Sequence, residues 1–169
     1  MQIAILSFFH YFTTMFKKRI SIFEVEEGNF LAPKFDNKGL IPVVTTDYKS
    51  GDILMHGYMN LKALKKTIET KEAHYWSRSR NTLWHKGKTS GFVQKVVELR
   101  IDDDQDSIWM KVNIGKGASC HVGYISCFYR SIPLGKIKNS KKIIMKFKEK
   151  KKKFNPDEIY KGQPNPTKL

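Results

Sequence analysis

From Gly39 onward the apolar positions fall into short runs separated by turn-forming residues. In GLIPVVTTD (39–47), Val43, Val44, Thr45 and Thr46 are β-formers, and Tyr48-Lys49-Ser50-Gly51-Asp52 reads as a turn. Ile53-Leu54-Met55 then opens a second strand, which makes a hairpin. The spacing changes at LKALKKTIETK, where Leu61, Leu64 and Ile68 recur with helical period behind Asn60 in the N-cap position. That pattern predicts a helix from Leu61 to about Thr70, with its lysines on the wet face and Met55 and Met59 as packing residues. His74, Tyr75 and Trp76 suit a strand, and SRSRN after them an exposed loop. His85–Gly91 is a second loop of basic and small polar residues. Phe92–Ile101 and Ser107–Ile114 read as two further strands, the latter with Ile108, Met110 and Val112 on one face and Trp109 on the other. The pattern predicts an α+β, strand-rich single domain with one main helix, spanning residues 36–133.

The two ends differ from this middle. Met1–Thr14 is apolar and aromatic but shorter than the roughly 20 residues of a membrane span. It has no basic segment ahead of the apolar run and no A-x-A cleavage site, so neither a membrane anchor nor a signal peptide is expected. Met15 is the expected true start, and residues 1–35 are read as an extension that is mis-started or disordered. Of the net charge of +15, most falls in the tail 134–169, where twelve basic residues stand against three acidic ones. A run such as KEKKKK is expected to be solvated, and no aromatic platform accompanies it as in single-strand binders. A basic nucleic-acid-binding module with a structural zinc site is the alternative reading, and no nucleic-acid partner is expected.

The candidate chemistry lies between Ile101 and Arg130. Asp102, Asp104 and Asp106 would share one face of an extended segment, as hard oxygen ligands suited to Mg2+, with Asp103 turned away. Cys120 and Cys127 are the only cysteines, which do not make a secreted disulfide framework; their number allows a single disulfide, but their context better suits thiolates holding Zn2+ in a reducing cytoplasm. Two thiols fall one short of the three protein ligands usual in catalytic zinc sites. The third could be His121, Asp103, another histidine or a residue of a second subunit. The loops 77–81 and 85–91 carry Arg78, Arg80, Lys86, Thr89 and Ser90, groups that bind phosphate. GKTSG lacks the glycine that should open G-x-x-x-x-G-K-[ST], which excludes a P-loop NTPase.

GLIPVVTTD, GDILMHGYMN, HYWSRSRNTLWHKGKTSGFVQ, DDDQD and CHVGYISCFYR, in that order, resemble the phosphoribosyl-AMP cyclohydrolase family over about residues 36–133. The resemblance implies hydrolytic opening of an N1-phosphoribosylated adenine in L-histidine biosynthesis, by a cytoplasmic, intertwined homodimer that needs zinc and magnesium. It implies Asp102, Asp104 and Asp106 as Mg2+ ligands and Cys120 and Cys127 as zinc ligands. The family often has a third cysteine inside a DCDxD motif, and that position here is Asp103, expected to take over the zinc-ligand role. Val122, Tyr124 and Ile125 stand where many relatives have Thr and two arginines. For proton transfer His121 is the first candidate, beside Cys120, followed by His85 and His74; His56 is expected to be structural. Arg78, Arg80, Lys86, Thr89 and Ser90 are expected to hold the substrate's phosphates, and Trp76 or Trp84 to stack on its purine.

Overall fold

In the computed structural model of the chain, residues 15–135, 142–165 and 167 are described. The apolar stretch 1–14 lies outside them, as does 136–141 of the tail, whereas the expected start, Met15, is the first described residue. The β-branched run forms β1 (Ile41–Asp47), and the turn after it returns the chain as β2 (Ile53–Met59), antiparallel in register Ile41 to Met59. Helix α2 (Leu61–Thr70) starts and ends where its periodicity and cap indicate, with the Asn60 side chain accepting from the Ala63 N–H at 2.9 Å. A five-residue helix, α1 (Ile22–Glu26), precedes these elements.

A four-stranded sheet in the order β2-β1-β6-β5 is completed by β5 (Lys95–Ile101) and β6 (Ile108–Asn113). β6 lies parallel to β1 and antiparallel to β5. Ile108, Met110 and Val112 are buried and Trp109 is on the outer face, as alternation requires. The core forms where Ile41, Val43, Leu54 and Met59 of the sheet meet Ala63 and Leu64 of α2 and Tyr75. Tyr75 belongs to β3 (His74–Ser77), which pairs with β4 (Thr82–His85) as a separate hairpin. His85 therefore ends a strand instead of opening a loop. Phe92–Gln94 precede β5 as irregular chain, because Gln94 turns wholly into the interior.

One short pairing remains, β7 (Arg130–Ser131) with β8 (Lys146–Phe147), followed by a final turn of helix, α3 (Pro156–Ile159). Among the described residues no helix is long and apolar enough to cross a membrane. Residues 17–34 lie along the loop between β5 and β6. Arg19 donates to the Ala32 and Asp104 carbonyls at 2.8 and 2.9 Å, and the Ala32 N–H donates to Gln105 Oε1 at 2.7 Å. Val25 and Ala32 are buried there, so this part of the N-terminal segment packs on the domain.

Candidate active site

Asp102–Asp106 is a tight turn rather than the extended segment that alternation implied. Asp102 Oδ1 accepts from the backbone N–H groups of Asp106 and Ser107, both at 2.9 Å, and Gln105 takes a left-handed φ of 57°. The turn brings carboxylate oxygens of Asp102, Asp104 and Asp106 within 4.8 Å of one another. Asp103 is exposed and outside that trio. Lys34 Nζ lies 3.2 Å from Asp104 Oδ2 and 3.1 Å from Asp106 Oδ2, and both carboxylates raise its pKa. An ammonium thus already sits where the trio concentrates negative charge, and the all-oxygen donor set fits a hard divalent cation.

The thiols belong to a second cluster. A buried polar chain connects it to the sheet: Thr45 Oγ1 and Tyr75 OH are 2.7 Å apart, and Tyr75 OH donates to Gln94 Oε1 at 2.9 Å. Gln94 Nε2 in turn donates to Ser119 Oγ at 2.9 Å, directly before Cys120. Gly57 leaves room for this arrangement, because a Cβ there would stand 2.7 Å from the Tyr75 ring. On the other side Cys127 N–H donates to Leu54 O of β2 at 2.7 Å. The loop between them closes through Ser119 N–H to Ile125 O and Cys120 N–H to Tyr124 O, at 2.8 and 3.2 Å.

Cys120 and Cys127 hydrogen-bond to each other, and this sets their protonation. The bond from Cys127 lowers Cys120 to about 6, helped by the N–H groups of Val122 and Tyr124 and by the charge of Lys86. Cys127, as donor beside that negative sulfur, is pushed well above its ordinary range. Lys86 is 4% exposed, and burial lowers its pKa while the two sulfurs act against that shift. Burial also holds His121 below the usual imidazole range, reinforced by Lys86, with a hydrogen bond to the Asn165 side chain acting in the opposite sense. The cluster therefore offers a ready thiolate, a neutral imidazole and a buried cation. Two soft sulfur donors fit Zn2+, and among the described residues no group of three metal-ligating side chains includes them.

Cys127, His121 and Lys86 of this cluster face a cavity of about 430 Å3. Of the residues expected from sequence to contact substrate, Arg80, Trp84, Lys86, Thr89 and Ser90 line it, together with His121 and Cys127. Trp76 and Arg78 do not; the Arg78 guanidinium lies 4.0 Å from the Tyr58 ring centroid instead. His74 and His85 stack on each other at 4.4 Å outside the cavity lining. His85 Nε2 is 2.8 Å from Glu72 Oε2 without hydrogen-bond geometry, and Glu72 also pairs with Lys95. Sequence reasoning missed Gln94 and Ser119, for which no local pattern exists, and the tail residues that line the cavity. The signal for the tail was one acid, Glu149, inside a run of lysines.

A thiol pair and a neutral histidine beside a cationic, hydroxyl-lined cavity, with a carboxylate trio elsewhere in the same α+β domain, are what a metal-assisted hydrolase of phosphorylated substrates requires. A family model for phosphoribosyl-AMP cyclohydrolase (PRA-CH) matches residues 55–129. The chain is 50% identical over 137 residues to the phosphoribosyl-AMP cyclohydrolase of Rhodopseudomonas palustris (strain ATCC BAA-98 / CGA009), covering 81% of this chain and 89% of that one. It is 46% identical over 140 residues to that of Nitrobacter winogradskyi, covering 83% and 94%, and 56% identical over 109 residues to that of Brucella canis, covering 64% and 78%. The chain belongs to the phosphoribosyl-AMP cyclohydrolase family.

Proposed function

We propose that this chain hydrolyses the adenine ring of 1-(5-phosphoribosyl)-AMP, the third step of L-histidine biosynthesis, in the cytoplasm. Water adds at C6, the N1–C6 bond breaks with its electron pair passing to N1, and N1 takes up a proton, giving the formimino-aminoimidazole carboxamide ribotide. The observation that carries this reading is the meeting of Cys127 and His121 with Arg80, Lys86, Thr89 and Ser90 around one cavity, with Cys120 behind Cys127, in a chain of this family.

Each wall has a task in that reaction. Arg80, Lys86, Thr89 and Ser90 supply forked, cationic and hydroxyl donors for the phosphates. Trp84 offers a ring face to the purine. His121, neutral because it is buried, accepts a proton from the attacking water and returns it to N1. Cys120 and Cys127 would hold Zn2+, and Asp102, Asp104 and Asp106 would hold Mg2+. A zinc ion at the thiols supplies an activated water near neutral pH. Asp103, exposed and outside the trio, is suited to complete the thiol site of a second subunit in a homodimer.

The test is turnover. Purified chain given zinc and magnesium should convert phosphoribosyl-AMP, followed by product absorbance, and a chelator should abolish this until zinc is restored. No conversion by folded, metal-supplied protein would refute the assignment.

A further inference from the structure

Lys148 and Lys150–Lys153 of the tail are exposed, but Glu149 among them and Phe154 after them turn onto the domain. Glu149 accepts from the N–H groups of Ile125 and Ser126 at 2.8 and 2.9 Å, on the loop between the two cysteines. Lys153 N–H donates to Gly123 O at 2.7 Å, and Phe154 packs its ring 5.0 Å from that of Phe92. Gly123 matches this approach: its φ is 102°, and a Cβ there would meet Phe154 O at 2.5 Å. These anchors carry the following residues across the cavity, whose lining Asn165 shares with His121.

The two walls of the cavity differ in charge. Arg80 and Lys86 lie on the domain side. On the tail side are Asp157, Tyr160, Gln163, Asn165 and Thr167, with no lysine among them despite the basic composition around them. A carboxylate repels a phosphate, but carboxylate, amide and phenol groups are good partners for sugar hydroxyls. This segment also lies outside residues 55–129, which the family model matches.

We propose that Pro156–Asn165, with Thr167, is a substrate-binding wall that recognises the hydroxyl-bearing ribose of a phosphoribosyl group, with Asp157 and Gln163 as its contacting residues. This rests on the cyclohydrolase reading above. The phosphate end then points to Arg80 and Lys86.

Three proteins test it: the full chain, a chain ending at Asn155 so that the Glu149–Phe154 anchors remain, and the full-length Asp157→Ala/Gln163→Ala variant. Each is assayed for kcat and KM with phosphoribosyl-AMP, for inhibition by AMP and 2′-deoxy-AMP, and for its unfolding midpoint. The full chain should bind AMP about tenfold better than 2′-deoxy-AMP, the worth of one or two net hydrogen bonds. Both variants should bring that ratio close to one and raise KM with kcat little changed. An equal ratio in all three proteins, or no discrimination by the full chain, overturns the proposal. So does a fall in kcat and unfolding midpoint with KM unchanged, which would make the tail a brace for the cysteine loop. If the shortened chain does not unfold cooperatively, the double variant decides. A full chain that discriminates the two nucleotides but never turns over phosphoribosyl-AMP would sink the cyclohydrolase reading instead.

Discussion

Cys120 and Cys127 share a proton unequally, and the inequality has a measurable consequence. Cys127 donates to Cys120, and the thiolate so favoured is further supported by two backbone N–H groups and by Lys86. In metal-free protein, thiolate absorbance should therefore rise for one cysteine around pH 6, with the second staying protonated through the range where free thiols normally ionise. Cys127→Ser should move the Cys120 transition upward, because a hydroxyl is a poorer partner for the sulfur. Two transitions near pH 8 to 9, the ordinary thiol range, would show that the pair does not interact. The thiols themselves were plain in the sequence, as the only two cysteines. Their unequal protonation was not, since it depends on Lys86, 34 residues before Cys120, being buried against them.

Elements, more than residues, place this loop. The Thr45–Tyr75–Gln94–Ser119 chain links β1, β3 and the cysteine loop through groups that are all buried. Gln94→Leu removes the amide that Ser119 Oγ accepts from, while Tyr75 keeps Thr45 as a partner. The unpaired hydroxyl should cost about 1–3 kcal/mol, read as a lower urea midpoint with unchanged slope. A cost below about 0.5 kcal/mol would show that water takes the place of the amide. Strand and helix identities were legible here: α2 runs from Leu61 to Thr70 as its period and Asn60 cap imply. The aspartate turn was not, because period-two alternation assumes extended backbone, whereas Asp102 spends an oxygen on two local N–H groups. The trio converges all the same, by curling rather than by alternation.

At the scale of the whole molecule, one chain holds two thiols without a third ligand among its described residues, and an exposed Asp103 at another turn. In the proposed homodimer these complete each other. Asp103→Ala and Cys120→Ser should each retain less zinc on metal analysis and lose activity. Mixing the two under conditions that exchange subunits should regain activity that neither has, since one hybrid site contains both intact residues. No recovery, or unchanged zinc in Asp103→Ala, would rule out the ligand role.

The sequence by itself determined β1, β2, β6 and the main helix, the two cysteines, the aspartates and the basic, hydroxyl-bearing residues of the two loops. Each of these is a matter of residue type, period or short spacing, which local physics controls. Only the tertiary structure decided which of them meet. Lys86 and His121 face one cavity and His74 and His85 do not. Lys34 reaches across to the aspartates, and the tail comes back over the site through Glu149 and Phe154. Those are contacts between residues tens of positions apart, fixed by burial and backbone hydrogen bonding of the whole chain, and no periodicity along it records them.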